Sequence, residues 1–310
     1  MKKVNKKLPA LTIGVPACNE EMNIGNLLSS IFSQTQNHFK LAKVIVIADG
    51  CTDRTEEIVK SFQIKFPIVK LIKRDFREGK ANALNKLYEL SNTDFLLTID
   101  ADVIFIGTQN LDFMAYEMMK NKKLNMVGPL HEPTKVKTFF GELARYSYLS
   151  MRDASLKIDQ GNNFYNCMSS EFMRKKFYKS YRFPKGTLSD QCYAYAMAIK
   201  DSKQGFKLVK DAKVIFGVAQ TFNDWRVLSA RSVVGDRADL VKHFGEDVLK
   251  DYTMPKKLFI SSLLKYFFKS PIYLLGSVLM NIYIRKFPYK KDAPKNGLWT
   301  MVSTSKELTI

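Results

Sequence analysis

Apolar residues come in short continuous runs along the first hundred positions, and each run ends on a polar or acidic residue. "LTIGVPA" (residues 11–17) stops at Pro16 and is followed by Asn19 and Glu20. "AKVIVIADG" ends on Asp49, "PIVKLIKR" on Arg74, and "DFLLTID" on Asp100. Between the runs lie helical patterns. Ile24, Leu27, Leu28, Ile31 and Phe32 recur at helical spacing, with acidic residues before them. "CTDRTEEIVKSF" offers Thr52 or Asp53 as a cap, with Glu56 three residues beyond Asp53, and "GKANALNKLYEL" forms a third helix. Strand and helix alternate four times, and the strands are apolar throughout, as in parallel strands covered on both faces. The predicted fold is a doubly wound α/β half with a mostly parallel sheet.

The remainder is less regular. "FYNCMSSEFMRKKF" reads as strand then helix, and "LSDQCYAYAMAIKDSKQGFKLV" as a helix opening near Asp190, a turn at Gly205 and a strand. "DAKVIFGVA" reads as another strand, and "FNDWRVLSARSVVGDRADLVKHF" as one basic amphipathic helix. From residue 256 onward, ten Lys/Arg stand against two Asp/Glu. Residues 258–284 are apolar and aromatic, but Lys265, Lys269 and Pro271 interrupt them. The uncharged part, 270–284, is shorter than the roughly 20 residues a helical span needs. A helix lying in a membrane interface is the leading expectation. A re-entrant or spanning segment, or helices packed on the rest of the protein, are the alternatives.

Sheets of this kind bind ligands at the carboxyl ends of their strands. Those ends here are acidic, and neither G-x-G-x-x-G nor G-x-x-x-x-G-K-[ST] follows the first strand. Asp100 and Asp102, at i and i+2 of a strand, would project to one side and converge on a divalent cation able to bridge phosphates. Lys80 adds a point charge for phosphate, and Gly79 permits close backbone approach.

Composition sharpens this. The chain has 310 residues, 46% of them hydrophobic, and a net charge of +19. That charge suggests an anionic partner, whether nucleic acid, a membrane face or a phosphorylated substrate; the alternative is that the excess simply solubilises the surface. Cys18, Cys51, Cys167 and Cys192 form no C-x-x-C pair and read as reduced, mostly buried thiols of a cytosolic protein. No signal-peptide-length apolar stretch follows the basic start. His38, His131 and His243 have no metal-ligand spacing, and Trp225 and Trp299 read as packing residues, with the lining of an acceptor groove as the alternative.

"TIGVPACNEEMNI", "VIVIADGCTDRTEEI", "REGKANALN" and "LLTIDADVIF", in that order, resemble the nucleotide-sugar half of family-2 glycosyltransferases, which have the GT-A fold. The resemblance implies a GT-A domain over 1–240, with the nucleotide-sugar half at about 8–105 and the acceptor half at 106–240, followed by a basic helical region at 241–310. It implies that Pro16, Asn19 and Glu20 cup the nucleoside and that Asp49 accepts a hydrogen bond from the base. Arg77, Gly79 and Lys80 would run beneath base and diphosphate. Asp102 would be the principal ligand of Mn²⁺ or Mg²⁺, with Asp100 nearer the ribose or donor sugar. Where relatives carry a Glu-Asp pair, this chain has Ser189-Asp190, which leaves Asp190 as the general base. Where processive members carry Q-x-x-R-W, it has Leu228, Arg231 and Ser232. Arg231 could grip the diphosphate, but the eroded motif argues against a processive synthase. The implied activity is inverting, metal-dependent transfer from a UDP-type sugar to a lipid-linked or saccharide acceptor at the cytoplasmic face of an anionic membrane. Nucleotidyl transfer and nonenzymatic nucleic-acid binding are the competing classes. The first lacks its glycine-rich loop, and the second is opposed by the acidic strand ends.

Overall fold

The computed structural model describes residues 7–230 and 236–287 together with Val302 and Thr304. One eight-stranded sheet runs through it, in the order β3-β2-β1-β4-β7-β6-β8-β5. β1 (Ala10–Ala17), β2 (Lys40–Asp49), β3 (Val69–Arg74) and β4 (Phe95–Ile99) are mutually parallel. They alternate with α1 (Ile24–Phe32), α2 (Thr55–Lys65) and α3 (Lys80–Leu90). Both sheet faces are covered, which explains the unbroken apolar runs. In β2, Val44 and Val46 face a core shared with α1 and α2, while Ile45 and Ile47 face one shared with α3. α3 lies close on β1 because Gly14 has no side chain: a Cβ there would sit 2.9 Å from Leu87.

Local details differ from the sequence reading. α1 begins at Ile24, so Glu20 and Glu21 precede it, and the Glu20 carbonyl accepts the first N–H groups of the turn. No capping box forms at α2. Asp53 accepts from the Thr55 N–H at 3.0 Å and from the Glu21 N–H at 3.0 Å, and Glu56 pairs with Lys73 instead.

The second half changes direction. β5 (Val103–Phe105) leads to α4 (Asn110–Lys120), β6 (Met126–Pro133) and α5 (Phe139–Ser155). β7 (Ser170–Arg174) and α6 (Lys175–Ser180) follow, then α7 (Asp190–Ile199) and β8 (Phe206–Phe216). β7 runs antiparallel to both β4 and β6, and β8 is parallel to β6. β8 joins the two short strands read from sequence into one. Its polar Lys210 and Asp211 sit where the pairing skips from Val209↔Pro129 to Lys213↔Leu130, so they mark a bulge rather than a turn. Of the single basic helix expected over 222–244, the described residues form α8 (Phe222–Ala230) and α9 (Asp236–Phe244), and 231–235 lie outside them. α10 (Lys256–Lys269) and α11 (Pro271–Lys286) form a hairpin on α5, broken at Pro271, which begins the second helix. Among the described residues, no helix is long and apolar enough to cross a membrane.

β4 ends at Ile99, and Asp100, Ala101 and Asp102 form a turn closed by the Val103 N–H on the Asp100 carbonyl at 3.2 Å. The two acids converge through that turn, not by strand alternation as the sequence suggested. The turn carries the chain from β4, at the sheet's centre, to β5, paired with β8 at the edge. Four residues reach no more than about 14 Å, so the sheet has to curl for that connection to close.

Candidate active site

A cavity of about 240 Å³ opens at the carboxyl ends of β1, β2 and β4. Pro16, Glu20, Asp49, Arg77, Lys80, Asp100 and Asp102 all line it. Asn19 stands beside it as scaffold. Its φ of 54° is left-handed, a conformation asparagine tolerates, and its side chain accepts from the Thr52 N–H at 2.8 Å, tying together the loops after β1 and β2. Glu20 is buried, and its carboxylate accepts from the Asn23 amide at 3.3 Å.

Asp49 is also buried, with three donors on it: Arg74 at 3.1 Å, the Glu78 N–H at 3.0 Å and the Gly79 N–H at 2.8 Å. These bonds fix the loop from Asp75 to Gly79 against the end of β2. Gly50 makes room for that loop. Its φ is +66°, and a Cβ there would lie 2.6 Å from the Arg77 backbone nitrogen. Gly79, at φ 95°, turns the chain into α3 and delivers Lys80 as its first residue.

The Lys80 ammonium joins the two halves. It lies 2.8 Å from one Asp100 oxygen and 2.9 Å from the other, and 2.9 Å from Asp190 Oδ2. Asp190 opens α7, where a negative charge suits the helix dipole. Its contact with Lys80 is an ion pair without hydrogen-bond alignment, so Asp190 Oδ2 is buried and accepts no hydrogen bond. Burial lowers the basicity of Lys80, but Asp100, Asp190 and Glu171 outweigh it and hold the ammonium well above its ordinary range. Burial raises Asp100 to about 6 against the pull of Lys80, with Asp102 and Asp190 adding to the rise.

Several residues at the site escaped the sequence reading. Glu171, inside β7, is buried and accepts from the Thr98 hydroxyl at 2.7 Å across the β4–β7 pairing. Burial lifts it to about 8, opposed by Lys80 and reinforced by Asp190. An acid in mid-strand beside apolar neighbours was the available signal. Cys18, Leu228 of α8 and Val302 also line the cavity. Val302 is anchored through Thr304, which donates its N–H and hydroxyl to Asp224 and accepts from the Gln220 N–H at 3.1 Å. Nothing in the local sequence marks that return of the chain. Arg231 lies outside the described residues, as does Trp299, whereas Trp225 is packed against Leu143 and Ile284.

Among the described residues, no group of three or more His, Cys, Asp or Glu side chains is arranged to hold a metal by itself. The donor set still fits a hard divalent cation. Such ions are commonly held by one or two carboxylates with the substrate's phosphates completing the shell. Asp102 and Asp100 supply two carboxylates in one wall, although Lys80 engages Asp100 here.

The family sequence model described as "Glycosyl transferase family 2" matches residues 12–201, more than half of the chain. The chain belongs to glycosyl transferase family 2. The glycosyltransferase is 33% identical over 100 residues to the probable glycosyltransferase YdaM of Bacillus subtilis, covering 31% of this chain and 24% of that one. It is 25% identical over 151 residues to the poly-beta-1,6-N-acetyl-D-glucosamine synthase of Staphylococcus epidermidis, covering 49% and 35%. The chain thus matches about a quarter to a third of those relatives' length. Among solved structures it is similar to the mannosyltransferase PcManGT of Pyrobaculum calidifontis, in complex with GDP-Man and Mn²⁺. The TM-score is 0.55 at 17% identity, covering 92% of this chain and 77% of that one. Glucosyl-3-phosphoglycerate synthase of Mycobacterium tuberculosis, in complex with Mn²⁺, UDP and glucosyl-3-phosphoglycerate, gives a TM-score of 0.52 at 16% identity, covering 76% and 80%. At these identities the likeness to solved structures shows the GT-A fold.

Proposed function

We propose that this glycosyltransferase inverts the anomeric centre as it moves a sugar from a UDP-type donor to a lipid-linked or saccharide acceptor. The acceptor is met at the cytoplasmic face of the cell membrane. The reading is carried by one observation: the candidate donor residues of three strand ends line one cavity, and Lys80 links them to Asp190 from the other half. Pro16 and Glu20 form the nucleoside side of the cavity, with Asn19 beside them tying the loops after β1 and β2 together. Asp49 holds the Arg77–Gly79 backbone, along which the base and diphosphate lie. Asp102, with Asp100, is the pair that would hold Mn²⁺ or Mg²⁺, and a cation bound there with the diphosphate supplies charge neutralisation to the leaving group.

Lys80 contributes its ammonium to the same oxygens. As the diphosphate takes up that charge, Asp190 is left as an ionised carboxylate at the acceptor side. Asp190 then accepts the proton of the acceptor hydroxyl while that oxygen attacks the anomeric carbon and the bond to the diphosphate breaks. Family membership leaves nucleotidyl transfer and nucleic-acid binding without support. The test is UDP release from a panel of UDP-sugars with Mn²⁺. Asp102→Ala should lower turnover by roughly 10³-fold, a loss of several kcal/mol of transition-state stabilisation. Full turnover in Asp102→Ala would remove this assignment.

A further inference from the structure

The α10–α11 hairpin has one face committed to the protein and one face bare. On the committed face, the Ser262 hydroxyl donates to the Ser150 carbonyl at 2.7 Å, Tyr266 packs edge-on against Tyr146, and Asn281 donates to Ser147 at 2.9 Å. Gly276 brings α11 tight against α5, since a Cβ there would lie 2.6 Å from Leu143. Both helices therefore bury the side that meets α5, and their other sides point away from the domain.

Those outward sides are apolar. Leu264 and Phe268 mark the stripe on α10, and Ile272, Leu275, Leu279 and Ile282 mark it on α11, at three-, four- and seven-residue spacings. Phe268 is 84% exposed and Ile272 70% exposed. Six large apolar side chains exposed on two adjacent helices mark an interaction site. The charges say of what kind. Lys256 and Lys257 begin α10, and Arg285 and Lys286 end α11, so the hairpin gathers four of its six cations at one end of the stripe, while Lys265 pairs with Asp153 and Lys269 lies over the Tyr266 ring, on the side turned to α5. Neither helix contains an acidic residue. A second copy of the chain would bring the same cations to the contact and no acid from either helix. An anionic lipid leaflet complements both parts, taking the apolar stripe at the acyl boundary and the cations among the headgroups.

We infer that the α10–α11 hairpin docks side-on in an anionic bilayer surface, with the Phe268–Ile272 corner as its deepest point and the 256–257/285–286 cluster as its headgroup contact. The inference gives the membrane partner of the proposed function a defined surface, yet it stands on the hairpin alone.

The experiment sediments the full chain with vesicles of phosphatidylcholine, with and without phosphatidylglycerol. The expected result is co-sedimentation that requires phosphatidylglycerol and weakens with salt. The double variant Phe268→Ser, Ile272→Ser should bind more than about tenfold more weakly, because two large apolar groups leave the acyl boundary. Lys256→Glu with Lys257→Glu should remove the dependence on phosphatidylglycerol. Both pairs are exposed, and an unchanged melting temperature checks the fold. The inference is overturned if the wild type stays in the supernatant, if the double variant pellets equally well, or if the wild type is a dimer that Phe268→Ser splits. UDP release is read separately: its absence in a protein that still pellets would sink the transferase assignment and leave the docking surface standing.

Discussion

Residues 10–99 and residues 103–216 each contribute four strands to the same sheet, but the two stretches build their parts of the site in opposite ways. The first is made of parallel strands with helical crossovers, and its polar groups stand at strand ends, where loops hold them. Asp49 fixes a loop by accepting two backbone N–H groups and Arg74. The second is mixed, and its acids come from a helix start, Asp190, and from the middle of a strand, Glu171. The first stretch is therefore a set of local units that each carry their own polar end. The second stretch depends on pairings between distant segments, such as Thr98 with Glu171. Lys80, from the first stretch, bridges that difference by contacting Asp190 of the second.

The comparison breaks most visibly at Asp190. Asp190→Asn should reduce kcat by about 10²- to 10⁴-fold, the usual contribution of a general base. UDP affinity, measured by calorimetry, should stay within a fewfold, because Lys80 keeps Asp100 as its partner when Asp190 loses its charge. An equal collapse of UDP binding would show that the two halves do not divide the work in this way. Asp49→Ala tests the other half. It strips Arg74 and two backbone N–H groups of their acceptor and should cost about 3–5 kcal/mol of stability, as removal of one partner from a buried pair does. Chemical denaturation measures that loss, and the KM for the donor should rise while Asp190-dependent chemistry continues on bound substrate. A change confined to kcat would assign Asp49 to the wrong side.

The smallest effect concerns acid stability and belongs to the second half. His131 is buried on β6, and burial lowers it to about 4 from an ordinary value of 6.5. The unfolded chain takes up that proton first, so stability present above pH 6.5 is lost as pH falls toward 4. Between pH 7 and pH 5 this amounts to about 2 kcal/mol. Urea unfolding of His131→Gln at the two pH values should show a fall smaller by that amount. An identical fall would mean that His131 is solvated or already charged in the native state.

The same contrast explains what could be read in advance. β1 to β4 and their helices were legible because each is a local unit with its own period, and Glu20, Asp49, Asp100 and Asp102 follow directly from where those units end, while Pro16 and Lys80 follow from the family resemblance. The chain between Ile106 and Asn163 gave no clear elements. α4, β6 and α5 are defined by partners far along the chain, and β8 hid a bulge at Lys210–Ala212 that resembled a strand break. Glu171 and Val302 were missed for the same reason. Their place depends on β4–β7 pairing in one case and on Thr304 meeting Asp224 in the other. Asp100 and Asp102 were identified for an incorrect geometric reason, since a strand's alternation was expected and a turn supplies the convergence.

That turn is also the shortest chord across a curled sheet, from Ile99 on β4 to Val103 on β5. Its length is fixed at both ends, by hydrogen-bonded strands that cannot move toward each other. A change of residue type at Ala101 alters the lining of the cavity, but one residue more or fewer changes the distance the turn has to bridge. Over evolutionary time the Asp100–Asp102 segment should therefore tolerate substitution and resist insertion or deletion, even in descendants that no longer catalyse anything. Its spacing is kept by the architecture of the sheet as well as by the chemistry.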